Sequence, residues 1–369
     1  MKISYAMNVL NGEPFIYYQL KSIYEHAHEI IIVEGAYNKF AHAARGFRSS
    51  DSTINTVKNF PDPDRKIKLI TRDYFYDDRV GMCNEFISDL TGDVLWQVDV
   101  DEFYRNDTHE YVKQLFDADE ELDQISFNFV DYYGGFDYVI EGYKDSLLDV
   151  IRVNRIQAGM RWSSQRPPTL ELNGKRLNPR KKLNGQKMLS AGHLMHNATM
   201  LFDYQVQQKF KYYAEMWPKS IIGSTDWFVA SWKNFDTKFC VAGMRRTLTY
   251  LVPRTIELPE ILIEMQNDII GGKYVGYRFS SEKIRSKITL DTEYDRKILA
   301  AKAINKLGAS SLVYFIPIVI DAVLQLSPLS RSLDKVFMTH VLLDSIKRRP
   351  YQALRNGVKS ILIPMTSRQ

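Results

Sequence analysis

Four short apolar runs ahead of Asp99 set the strongest limit on the fold. Residues 3–9, 29–33, 66–71 and 93–98 each have the length of a strand. The run Glu-Ile-Ile-Ile-Val at 29–33 shows no alternation, as expected of a strand buried on both faces. Between the first two runs, Phe15, Ile16, Leu20, Ile23 and Tyr24 fall at helical spacing. Asn11-Gly12-Glu13-Pro14 precedes them and offers an N-cap and an early proline. Residues 77–90 read as another helix, with Gly92 as its stop. Strands alternating with helices predict an α/β fold with a largely parallel sheet covered on both faces. Ligands of such sheets collect at the carboxyl ends of the strands, where Glu34, Asp99 and Asp101 stand.

The remainder of the chain is patterned differently. Residues 124–155 are aromatic and strand-like, with Gly134-Gly135 as a turn. Pro167-Pro168 and residues 173–185 read as loop, and residues 203–217 as a helix ending at Pro218. From about Pro259 the pattern is helical with short breaks. No internal repeat or low-complexity segment is present.

The chain has 369 residues, enough for a substantial core. Two cysteines, Cys83 and Cys240, are too few for a disulfide framework or a thiolate metal site, and they suit a reducing, cytoplasmic compartment. Met1 to Asn8 lacks the pattern of a signal peptide. The net charge of +5 is matched by residues 341–369, where six basic residues face the single acid Asp344. The rest is nearly neutral, which argues against nucleic acid as a partner. A basic end on an apolar stretch suits peripheral contact with an anionic inner membrane face. The apolar residues 311–326 are short for a membrane span and broken by Pro317 and Asp321. A core helix pair or an interfacial anchor would account for them.

Asp99-Val100-Asp101 follows the fourth run directly. In extended backbone the two carboxylates would point the same way. Two carboxylates at a strand mouth repel each other, and a hard cation such as Mn²⁺ or Mg²⁺ relieves them while taking phosphate oxygens. An acidic pair of this spacing also occurs in plain turns. Its setting favours chemistry here, because a helix carrying Arg79 and Asn84 leads into it.

The stretch from Asp78-Arg79 through Thr91-Gly92-Asp93-Val94-Leu95-Trp96-Gln97-Val98-Asp99-Val100-Asp101-Glu102-Phe103 resembles the Asp-x-Asp region of GT-A glycosyltransferases. It is similar to family 2 and to family 17 N-acetylglucosaminyltransferase-like enzymes. Asn11 and Glu13 resemble the Asn-Glu after the first strand of family 2, and Ile31-Ile32-Val33-Glu34-Gly35 resembles the second strand. The likeness covers roughly residues 1–215. It implies a GT-A domain over 1–255, with a nucleotide-binding half at 1–110 and an acceptor half at 111–255, then a mostly helical extension over 256–369. It implies a nucleotide-sugar donor, a UDP-sugar first, and a glycan or lipid-linked acceptor. Glu34 would contact base or ribose, with Asn11, Arg79 and Asn84 nearby. Asp101 would bind the metal directly, and Asp99 would hold ribose or the metal through water.

Ser190-Ala191-Gly192-His193-Leu194-Met195-His196-Asn197 precedes the helix bearing Lys209. By the same resemblance His196 is a metal ligand, with His193 as fallback, and Lys209 meets phosphate. Structural roles for both histidines stay open. No acid occurs between Leu172 and Phe202, whereas Lys175, Arg176, Arg180, Lys181, Lys182 and Lys187 do. Either a solvated loop or a basic flap over a diphosphate would look like this. An inverting transferase needs a carboxylate base. The usual acid after the Arg155–Trp162 segment is replaced by Pro167-Pro168-Thr169-Leu170-Glu171, so Glu171 is the closest substitute, with Asp131 and Asp137 as others. A haloacid-dehalogenase-like phosphohydrolase also uses Asp-x-Asp, but earlier in the chain and with different flanking residues. A GT-A module that binds glycan or a partner without catalysis would account for the missing base.

Overall fold

The computed structural model describes residues 1–142, 150–165, 168–176, 187–216, 232, 250–296, 298–299 and 302. The chain divides into two compact units. One comprises Met1–Val139, Asp145–Glu215 and Pro253–Glu282, and the other Ile140–Lys144, Met216–Val252 and Lys283–Gln369.

The first unit is built on a twisted α/β sheet. Four strands, β1 (Ile3–Val9), β2 (Glu29–Glu34), the edge strand Ile67–Thr71 and the strand Val94–Gln97, run parallel in the order Ile67–Thr71, β2, β1, Val94–Gln97. Helix α1 (Phe15–Ile23) crosses from β1 to β2, as the helical spacing predicts. Nearly every residue of β1 and β2 is buried, because helices cover both faces of a parallel sheet. Each Ile or Val sealed there contributes roughly 1.5–3 kcal/mol.

The two hairpin strands β3 (Ala44–Arg45) and β4 (Arg48–Ser49) and helix α2 (Thr53–Asn59) precede the edge strand, β5 (Ile67–Thr71). Helix α3 (Arg79–Ile87) then leads to β6 (Val94–Gln97). Asp78 caps α3, its carboxylate accepting the Gly81 N–H at 2.9 Å. The helix is shorter than the 77–90 expected and ends before Gly92. That glycine serves a close approach instead: a Cβ there would lie 2.9 Å from the Lys2 carbonyl and 2.5 Å from Ser4 Oγ. The cap before α1 also differs, since Pro14 directly precedes the helix and Asn11 takes a left-handed φ of 56°.

Past β6 come β7 (Glu102–Phe103), α4 (Asn106–Ala118), β8 (Leu122–Tyr133), β9 (Tyr138–Glu141) and β10 (Val150–Arg155). Strand β10 inserts antiparallel between β6 and β8. A small antiparallel sheet follows, made of β11 (Met160–Gln165), β12 (Pro168–Leu172) and β13 (Lys175–Arg176). Pro168 thus opens a strand rather than lying in a loop, a position where its missing N–H costs no ladder bond. Strand β14 (Lys187–Met200) pairs parallel with β8 and antiparallel with β7. Helix α5 (Asp203–Met216) follows, close to the expected span.

Tyr5, Trp96 and Phe127 stack at the centre, with ring centroids 5.4 Å apart at each step. A second apolar cluster, including Val33, Tyr76, Cys83, Phe86 and Trp162, lies between the sheet, α3 and β11.

Strand β15 is Tyr250–Pro253, and helices α6 and α7 are Glu260–Ile270 and Ser281–Leu290. Within the second unit, Tyr294 Oη donates to the Leu251 carbonyl at 2.8 Å and accepts the Leu251 N–H at 3.1 Å. Among the described residues no helix is long and apolar enough to cross a membrane. The apolar residues 311–326, the basic residues 341–369, Cys240, Arg180, Lys181 and Lys182 lie outside the described residues.

Candidate active site at the carboxyl ends of the parallel strands

Parallel register brings the functional candidates to one edge. Val9 stands opposite Glu34, and Glu34 opposite Thr71. The β1–β6 ladder is extended by the Val98 N–H, which donates to the Ala6 carbonyl at 3.0 Å. Beyond Val98 the chain turns: the Glu102 N–H donates to the Asp99 carbonyl at 3.1 Å. The acidic triplet is therefore a tight turn and not extended backbone. The spacing argument from strand alternation does not apply to it, and its side chains are placed by their partners.

Those partners are cations. Arg79, in the first turn of α3, forms an ion pair with Asp99. Arg152 of β10 pairs with Glu102 through Nε and Nη2, one donor to each carboxylate oxygen, Nε lying 2.7 Å from Oε2. Its Nη2 also lies 3.6 Å from Asp99 Oδ2. Lys209 of α5 reaches Asp101 Oδ2 at 3.2 Å. The backbone of Asp101 is tied as well, its carbonyl accepting the Ala198 N–H at 2.8 Å. Asp99 and Asp101 keep 31% and 15% of their side-chain surface exposed, whereas Glu102 keeps 6%. The two aspartates can thus be reached from solvent, and the glutamate lies behind them. Burial pushes the Glu102 carboxyl up, and the Arg152 guanidinium opposes that push.

His196 lies on β14 in register with Phe103 and Val130. It is buried, and its Nδ1 is 2.6 Å from Tyr132 Oη. Burial, aided by the charges of Arg105 and Arg254, pushes its pKa down to about 4. The ring is neutral at neutral pH. His193 falls on the same strand, and its side chain lies outside the described part of the structure. Among the described residues no three His, Cys, Asp or Glu side chains stand as a ready ligand group.

Glu34 is fully buried at the end of β2. One oxygen accepts the Ser49 N–H at 2.6 Å, while the other is buried without a hydrogen-bond partner. Burial raises its pKa. Asn8 Oδ1, Tyr76 Oη and Trp162 Nε1 are likewise buried and unpartnered. Buried polar atoms without partners are costly, and a polar ligand is one way to satisfy them. Asn11 staples the 43–50 loop: its amide donates to the Ala43 carbonyl at 2.8 Å and accepts the Ser50 N–H at 2.7 Å. Asn84 engages the Trp162 backbone at both ends, 3.0 Å to the carbonyl and 2.8 Å from the N–H.

Of the acids considered as bases, two lie on different sheets and Asp137 lies in the bend between β8 and β9. Glu171 of β12 sits opposite Arg161 and pairs with it at 3.1 Å. Asp131 of β8 accepts a hydrogen bond from Asn197, which lies in register with both Asp131 and Glu102. The Asp137 carbonyl accepts the Arg254 N–H at 2.8 Å. Arg152 and Glu102 are the site residues that sequence reasoning missed. Their pairing spans 50 positions, and no local pattern signals it.

No family model and no curated protein sequence matches the chain. Among solved structures it is similar to the mannosyltransferase PcManGT from Pyrobaculum calidifontis in complex with GDP-Man and Mn²⁺, with 22% identity over 34% of this chain and 35% of that one, at a TM-score of 0.28. It is also similar to S. aureus TarS 1–349, with 13% identity over 64% of this chain and 74% of that one, at a TM-score of 0.35. A third likeness is to glucosyl-3-phosphoglycerate synthase from Mycobacterium tuberculosis in complex with Mn²⁺, UDP and phosphoglyceric acid, with 15% identity over 35% and 43% of the two chains and a TM-score of 0.26. The chain spans about a third of the mannosyltransferase. The architecture is set by the strand order. With four parallel strands, an antiparallel strand inserted beside them and an acidic turn where β6 ends, the chain has a mixed α/β fold with a largely parallel central sheet and flanking helices.

Proposed function

We propose that the protein is a metal-dependent glycosyltransferase that moves a sugar from a nucleotide-sugar, a UDP-sugar first, to a glycan or lipid-linked acceptor. The observation that carries this reading is the pair of solvent-reachable carboxylates, Asp99 and Asp101, touching Arg79 and Lys209 at the carboxyl edge of a parallel sheet.

The residues fit Mn²⁺ or Mg²⁺ in kind. Two carboxylates give the hard oxygen donors such ions take, with phosphate and water as the usual remainder. Asp101 and Asp99 would hold the cation, with His196 or His193 as a further ligand. A bound divalent cation supplies electrostatic relief for a departing diphosphate. The chain's own residues do the rest. Arg79 and Lys209 bring fixed positive charge that phosphate oxygens can share. Glu34, with its unpartnered oxygen, offers a hydrogen bond to base or ribose. Deprotonating the acceptor hydroxyl falls to Glu171 or Asp131, each of which would have to leave the partner it now holds. That engagement favours a second reading, a GT-A module that binds glycan or a partner without catalysis.

The test is a melting-temperature panel of UDP-, GDP- and CDP-sugars with and without Mn²⁺. A metal-dependent rise with one nucleotide class, lost in Asp99→Asn, is the expected outcome. Equal melting temperatures across the whole panel would sink the transferase reading. Nucleotide binding without sugar turnover, over a range of glycan acceptors, would favour the binding module.

A further inference from the structure

The ion pair of Arg152 with Glu102 stands apart from the other charges of the site. Glu102 keeps 6% and Arg152 12% of its side-chain surface exposed. Taking two charges out of water is costly, and apolar residues of similar size often serve stability as well or better. A pair kept in such a place invites a role beyond holding the fold.

The geometry supplies one. Glu102 Oε2 accepts the Asp99 backbone N–H at 3.1 Å, while the Glu102 N–H donates to the Asp99 carbonyl at 3.1 Å. The glutamate thus closes the acidic turn at both ends. Arg152 fixes the rotamer of that glutamate with a bidentate grip from Nε and Nη2, and the same Nη2 faces Asp99 Oδ2. Arg152 comes from β10, whose neighbouring Val153 is in register with Trp96 of β6. The core sheet therefore anchors the guanidinium. Arg79 and Lys209, by contrast, hold the outer faces of Asp99 and Asp101 and are 24% and 30% exposed.

We infer that Arg152 and Glu102 are positioning residues. They lock the turn at Asp99–Asp101 so that both carboxylates are presented as a preformed oxygen site for a divalent cation and the diphosphate it accompanies. Pre-organisation of this kind lowers the ordering cost of binding. The inference rests on the nucleotide-sugar reading above.

Removing one partner alone leaves an uncompensated buried charge, and Arg152→Ala can simply unfold the protein. The decisive variant is the double change Glu102→Gln with Arg152→Met, which removes both charges at similar volume. Its melting temperature is expected to stay within a few degrees of wild type. Its affinity for Mn²⁺ in the presence of UDP, read from the electron paramagnetic resonance of free Mn²⁺, is expected to fall at least tenfold. Amide exchange across 98–102 is expected to quicken. Glu102→Gln with Arg152 kept retains, besides the acceptor for the Asp99 N–H, the guanidinium that faces residue 102 and Asp99, so where it folds it should lose less affinity than the double variant. If wild type binds Mn²⁺ with UDP and the folded double variant binds within twofold of it, the positioning role is overturned while the functional reading stands. If wild type shows no such binding, the functional reading falls and this inference with it.

Discussion

His109 shows what burial does to a single titratable side chain here. It lies on α4 with its Nδ1 2.7 Å from Tyr5 Oη, and its ring stacks on His26 at 4.4 Å. Burial, then the charges of His26 and Lys113, hold its pKa well below 6.5. As the pH falls, the unfolded chain takes up this proton before the folded one does. The contribution to stability is whole above about 6.5 and is lost on the acid side. The melting temperature should therefore drop between about pH 7 and pH 5, and less so in His109→Gln; an equal drop in both would exclude His109 as the cause. At this scale the sequence was legible where chemistry clusters locally. Arg79, Asp99 and Asp101 could be named from that local stretch and Lys209 only from the family resemblance, and the structure joins them in pairs. Glu102 and Arg152 could not, because a glutamate beside an acidic turn reads as solvated until its distant partner is seen.

Strands β1, β2, β5 and β6 were readable as elements because short, mostly apolar runs have few other ways to be satisfied. Strand β14 was not. Its Ser, Ala, Gly, His, Asn and Thr residues carry no strand pattern, and long-range pairing with β8 overrides their weak preference. The small β11–β12–β13 sheet escaped for a related reason, since two prolines suggest a loop. Its attachment to α3 depends on Asn84, whose amide replaces a strand partner for the Trp162 backbone. Asn84→Ala should cost about 1–3 kcal/mol by leaving those backbone groups unsatisfied. A urea midpoint equal to wild type would show that another group takes over. A loss of nucleotide binding in that variant, with β11 still docked, would point to direct contact with the ligand.

For the molecule as a whole, ligand and stability are linked. A nucleotide and cation that bind only the folded state add about 2.7 kcal/mol at concentrations one hundred times their dissociation constant. Denaturant titrations with Mn²⁺ and UDP should show that gain in wild type and none in Asp99→Asn; a gain in both would place the ligand elsewhere. The acidic turn also has a history along the chain. Asp99 pairs with Arg79, 20 positions earlier, whereas Asp101 waits for Lys209, 108 positions later. In chain order Arg79 and Asp99 therefore leave the ribosome well before Lys209 does. Asp101 can gain its lysine partner only once α5 has emerged, so the charge balance of the acidic turn is completed late in synthesis.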